Sequence, residues 1–255
     1  MLDMHPPILG VVVAGTLAFG FVGAFGATPN QRLPAARPDC PLGAHALVEH
    51  FIGADCAACW DADAPPAGGA PTPGSEPVAP GAWSLDWLVP ARNGAAAPLA
   101  PAAIAESAQR LERLGPYLAA RLEVAPAGFD TSTPLAPPTR GRRMWVHSSL
   151  PFQGYFGVQM HVRGRWPEGA TGWVGLVDPV PPGTEGSPIA RHVVRVLTGP
   201  VPLPASPASR DGVDPLFALR WPEMANPGAL MAVAWIEGRD GRVLQLASDR
   251  CPDPK

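Results

Sequence analysis

The stretch His45-Ala-Leu-Val-Glu-His-Phe-Ile-Gly-Ala-Asp-Cys-Ala-Ala-Cys-Trp60 decides how the rest of the chain is read. An apolar run over 46–52 ends at Gly53, and Cys56 and Cys59 follow with two residues between them. Alternate residues of a strand face opposite sides, so Leu47, Glu49 and Phe51 share one face and Val48, His50 and Ile52 the other. A strand feeding a turn that carries two cysteines at this spacing displays a dithiol or disulfide. The first sulfur then lies where the N–H groups of a short following helix can stabilise a thiolate.

Working outward, the 255 residues are 46% hydrophobic, enough for one large or two small domains. A net charge of −3 gives no electrostatic case for nucleic acid or an anionic membrane surface. Glycine (28) and proline (35) together make about a quarter of the chain, so long irregular connections are expected. Residues 8–27 form a nearly unbroken uncharged apolar run with small-residue exits. The run reads as a signal peptide or, being long enough to span a bilayer, as an N-terminal anchor in the inner membrane. Either way the remainder is expected outside the cytosol, in the periplasm or secreted, with residues 28–44 as a linker.

Export places Cys40, Cys56, Cys59 and Cys251 in an oxidising compartment. Three pairings are open. Proximity favours Cys56 with Cys59, which leaves Cys40 with Cys251 to clip the two ends of the mature chain.

Further along, a helix starting near Cys56 can run only about two turns before Pro65-Pro66, and a low-complexity loop over 65–82 follows. Residues 83–89 read as a second strand. Residues 102–114 read as the clearest helix, with Ile104, Ala108, Leu111 and Leu114 on one stripe, Glu106 and Arg110 at i,i+4, and Gly115-Pro116 as a stop. Residues 117–124 read as a strand. The proline-rich stretch 125–139 reads as a boundary between two halves. Beyond it, apolar runs at 144–150, 155–162, 171–177, 189–197, 215–221 and 230–236 come at sandwich-like spacing. A closing hairpin, 229–237 with 242–247, is expected over Gly238-Arg-Asp-Gly241.

The string Glu49-His-Phe-Ile-Gly-Ala-Asp-Cys-Ala-Ala-Cys59 resembles the strand–turn motif E-L-F-T-S-Q-G-C-S-S-C of a family of secreted, thioredoxin-like bacterial proteins of unassigned function. Glu49, Phe51, Cys56 and Cys59 match position for position. Leu85-Asp86-Trp87 resembles the family's H-V-D-Y-W strand, and Val193-Val194-Arg195 its later N-V-V-R segment. Trp60 and Asp55 depart from the family's Pro and Gly, and Thr133-Pro134 is the nearest dipeptide to a thioredoxin-type Thr-Pro segment. The resemblance implies an α/β plus β fold: a degenerate thioredoxin-like N-terminal half, residues 45–126, and a β-sandwich-like C-terminal half, residues 140–255.

Three functions follow from the cysteine pair. In thiol–disulfide exchange, Cys56 is the nucleophile, Cys59 resolves the mixed disulfide, and Glu49 on the strand beneath takes a proton. The partner is then a periplasmic thiol protein or a membrane complex, and no cofactor is called for. In a non-catalytic binding or assembly module the same bond is structural. In a copper or zinc protein, Cys56 and Cys59 join His50 or His45. Ser148, Ser149, His147 and His161 lie in β runs without a nucleophile-elbow pattern, which speaks against a hydrolase triad. Arg191, His192 and Arg195 read as an anion site or the basic edge of a solvated strand, and Trp145, Trp166, Trp173, Trp221 and Trp235 as core rather than a ligand groove.

Overall fold

Strand β1 (Ala46–Gly53) is buried at every residue but the half-buried His50, with the charged Glu49 buried among apolar neighbours. It pairs in parallel with β2 (Ala82–Val89), Phe51 opposite Trp87, and antiparallel with β3 (Phe129–Pro134) at the sheet edge. The computed structural model describes residues 46–61, 82–91, 94–115, 129–203, 212–223 and 225–250, all within one compact unit. The expected leader and linker (1–44), His45, residues 65–81 of the expected loop, the strand expected at 117–124, Cys40 and Cys251 lie outside these residues.

The helix after β1, α1 (Ala57–Asp61), has five residues; α2 (Ala105–Leu114) has ten. The remaining strands are β4 (Arg143–Ser148), β5 (Tyr155–Arg163), β6 (Thr171–Val180), β7 (Arg191–Pro202), β8 (Leu216–Arg220), β9 (Met231–Glu237) and β10 (Val243–Ser248). They form a curled seven-stranded mixed sheet, ordered β10-β9-β6-β7-β2-β1-β3, and a three-stranded antiparallel sheet, β4-β5-β8.

This architecture overturns the expected α/β plus β fold with a thioredoxin-like first half. The described residues are mostly strand, with little helix to cover a thioredoxin sheet. Two physical causes are visible. Helix α1, over its described residues Ala57–Asp61, shields only a small area. The two stretches expected to fold separately also share one sheet, because β7 pairs in parallel with β2, Val193 opposite Asp86.

Three apolar clusters follow from strand alternation. In β9, Ala232, Ala234 and Ile236 face the small sheet and meet Val158, Met160 and Val162 of β5, while Met231, Val233 and Trp235 face α2. On the α2 side, Trp87, Trp173 and Trp235 pack around Phe51 and Leu111, with Trp235 edge-on to Trp87 at 6.3 Å. The third cluster, Ile52, Trp60, Leu88, Val180 and Val193, lies on the opposite face beneath α1. Of the five tryptophans weighed as groove or core, Trp166, Trp173 and Trp235 are core, Trp221 packs on Phe156, and Trp145 is half-buried on the outer face of β4.

Candidate functional site

Gly53 ends β1, and the chain turns there because Cys56 N–H donates to Gly53 O at 2.9 Å. Cys56 O then accepts from the N–H groups of Cys59 and Trp60, starting α1. Cys56 and Cys59 form a disulfide with their Cα atoms 5.2 Å apart, and both are partly exposed. The Cys59 N–H also donates to Cys56 Sγ at 3.3 Å, the contact that would stabilise a thiolate there.

What fastens this turn to the sheet is Trp60, not the sulfurs. Its side chain is 2% exposed and seals the third apolar cluster. Its Nε1–H donates to Glu185 O at 2.7 Å, and its carbonyl accepts from Arg191 Nη2 at 2.8 Å. The Arg191 guanidinium lies 4.6 Å from the centre of the indole.

Under α1 the sheet carries a row of paired charges. Arg191 also donates to Asp86 Oδ1 (3.0 Å) and Ser187 Oγ (2.8 Å), and Asp86 Oδ2 accepts the His192 N–H. Arg195 binds Asp178 at 3.0 Å and Glu185 at 2.6 Å. Each of these buried charges has a counter-charge, as burial demands. Arg191 and Arg195, weighed in the sequence as an anion site, are therefore engaged by carboxylates. The Asp86 and Arg195 positions belong to the motifs that carried the family resemblance; Asp86 pairs with a residue 105 positions away, whereas the partners of Arg195 lie within 17.

Glu49 lies elsewhere. It shares the α2 face of β1 with Leu47 and Phe51, whereas Cys59 and Trp60 pack on the opposite face with Ile52. Its two carboxylate oxygens accept from Arg110 Nε (2.9 Å) and Nη2 (2.8 Å). Arg110 Nη1 pairs in turn with Glu237. The residue expected to move a proton for the cysteines is thus a fully buried structural carboxylate.

His50, the weak metal candidate, is on the disulfide face but bonds Asp130 Oδ1 through Nδ1 at 2.5 Å, tying β1 to edge strand β3. Among the described residues no group of three or more His, Cys, Asp or Glu is placed to hold a metal ion. Thr133-Pro134 sits opposite Leu47 and Ala46, at the far end of β1 from the cysteines.

Burial lowers the His50 pKa, but the bond to Asp130 and its charge outweigh that, and the net shift is upward. A raised folded pKa means stability fully present below the unfolded value of about 6.5 and lost as pH rises through the folded value. The melting-temperature gap between the wild type and D130N should therefore be wider at pH 6 than at pH 8.5. A gap that does not change with pH would rule the charged pair out.

The pattern of Ser148, Ser149, His147 and His161 assembles only in part. His147 and His161 meet on the outer face of the small sheet, whereas Ser148 Oγ donates to Asp249 and Ser149 Oγ to Leu150 O. No helix among the described residues is long and apolar enough to cross a membrane. No protein-family model, curated protein or solved structure matches the chain.

Proposed function

We propose that the chain carries out thiol–disulfide exchange through Cys56 and Cys59 with a partner protein in an oxidising compartment outside the cytosol. The observation that carries this reading is the independence of the turn from its own disulfide. Trp60, Arg191 and Glu185 hold α1 on the sheet through contacts that do not involve sulfur. The bond itself closes a ring of about four residues, for which loop entropy supplies only about 2 kcal/mol. A partly exposed bond that the fold scarcely needs is free to open and close.

The chemistry balances with a partner dithiol as reductant. A partner thiolate attacks one sulfur of the pair, forms a mixed disulfide and expels the other as a thiolate. The partner's second thiol then attacks the mixed disulfide, leaving an oxidised partner and a reduced Cys56/Cys59 pair; the reverse sequence reduces a partner disulfide and re-forms the Cys56–Cys59 bond. Cys56 is the natural site of the thiolate because it receives the Cys59 N–H. With Glu49 on the other face, protons are exchanged with solvent.

The test is equilibration in glutathione buffers followed by alkylation and intact-mass analysis. A midpoint between about −120 and −270 mV is expected, within the span of thiol–disulfide exchange proteins. C59S should accumulate the mixed disulfide with a partner thiol, and C56S should not. A midpoint below about −300 mV would assign the bond a structural role. The double variant C56S/C59S should lose no more than about 2 kcal/mol in urea denaturation.

A further inference from the structure

We propose that His147 and His161 bind a divalent transition-metal ion, Cu²⁺ in preference to others, on the outer face of the three-stranded sheet. In the antiparallel β4–β5 pair, Trp145 is opposite His161 and His147 opposite Gln159, so the two histidines are diagonal neighbours. Both belong to the half-buried, outward set of their strands. Nδ1 of His147 lies 3.1 Å from Nε2 of His161, with ring centroids 4.9 Å apart.

That spacing is what two imidazoles on one ion show. Nitrogens each about 2.0 Å from a metal stand about 2.8 Å apart at a right angle and about 3.3 Å apart at the tetrahedral angle.

The surroundings orient the ligand. His161 Nδ1 lies 2.7 Å from Asp214 Oδ1, so its proton is held there and Nε2 presents its lone pair toward His147. Asp214 is itself clamped by Arg163 Nη1 and Nη2 at 2.7 and 2.8 Å. Trp145 stacks on His161 at 4.7 Å with an interplanar angle of 9°, fixing the ring plane. A carboxylate behind a ligating imidazole, held in place by further bonds, is the usual outer shell of a metal-binding histidine.

The ion replaces the proton shared by His147 Nδ1 and His161 Nε2, which moves to His147 Nε2, so no net proton is released. With two protein ligands, solvent completes the coordination. Imidazole nitrogen and an open, tetragonal-tolerant site favour Cu²⁺ over Ni²⁺ and Zn²⁺.

The experiment adds Cu²⁺ alone to the oxidised full chain, in which Cys56 and Cys59 offer no thiolate. Calorimetry and electron paramagnetic resonance should show one ion per chain coupled to imidazole nitrogen. His147→Gln and His161→Gln should each weaken binding at least tenfold, and Asp214→Asn by about 10–100-fold. His50→Gln should leave it unchanged. Equal binding by the His147 and His161 variants, loss of binding in His50→Gln, or no binding by the wild type would overturn the assignment. Should a variant fail to fold, carbethoxylation of the wild type decides the matter. One equivalent of Cu²⁺ must protect both His147 and His161, and equal labelling with and without the ion would refute the site.

Discussion

Replacing Arg110 by alanine is expected to cost about 3–5 kcal/mol, enough to unfold a protein of ordinary stability at moderate temperature. The side chain is 2% exposed and holds both oxygens of Glu49 and one of Glu237. Its guanidinium also lies 5.7 Å from the centre of the Trp235 ring, whose Nε1–H donates to Glu237 at 2.9 Å. Removing the cation leaves two carboxylates in the interior with no bonded counter-charge, only the less buried Arg113 nearby. The penalty comes from that orphaned charge more than from the lost contacts. A triple variant, Arg110→Met with Glu49→Leu and Glu237→Leu, should therefore recover most of the loss, because an apolar set of similar volume needs no pairing. Urea midpoints of the single and triple variants check this. A single variant within about 1 kcal/mol of the wild type would show that water reaches the carboxylates.

Trp60→Ala has the second large effect, about 3–5 kcal/mol. The indole covers Ile52, Leu88, Val180 and Val193, and without it Glu185 O and the Arg191 guanidinium lose a partner. Trp60→Phe keeps most of the cover and drops the Nε1–H bond, for about 1 kcal/mol. The alanine variant also bears on the redox reading. With Trp60 in place, reducing the disulfide should change stability little, since the turn is fastened elsewhere. In Trp60→Ala the disulfide becomes the main restraint on α1, and reduction should cost more than in the wild type. A thermodynamic cycle over Trp60 and the two cysteines measures that difference. A coupling of zero would mean that indole and disulfide stabilise separate things.

Local pattern was a good guide to single elements. The runs at 46–52, 83–89 and 155–162 are strands, and the hairpin closes over Gly238 and Gly241 with Gly238 N–H donating to Arg242 O. The stripe Ile104, Ala108, Leu111 and Leu114 faces the core as its spacing required. The miss was β3, in a stretch read as a boundary. Asp130-Thr-Ser-Thr-Pro134 is polar and ends in proline, a composition that an edge strand tolerates because one side of it needs no ladder partner.

The charged residues show where local reading stops. Glu106 and Arg110 stand at the spacing of a surface ion pair, yet Arg110 turns inward to Glu49, 61 residues away. Glu49 has the spacing to support Cys56, yet the side of the strand it occupies puts it under α2.

The chain's linear order determined where most strands lie, which residues share a strand face, and that Cys56 and Cys59 meet at a turn, since each depends on neighbours within a few residues. Tertiary structure alone decided that β7 joins β2, that Arg110 lies between two carboxylates, that Trp60 fastens the disulfide turn, and that His147 meets His161 beside Asp214. Those outcomes rest on burial and charge pairing between distant segments, and such energies exist only once the sheets have closed on one another.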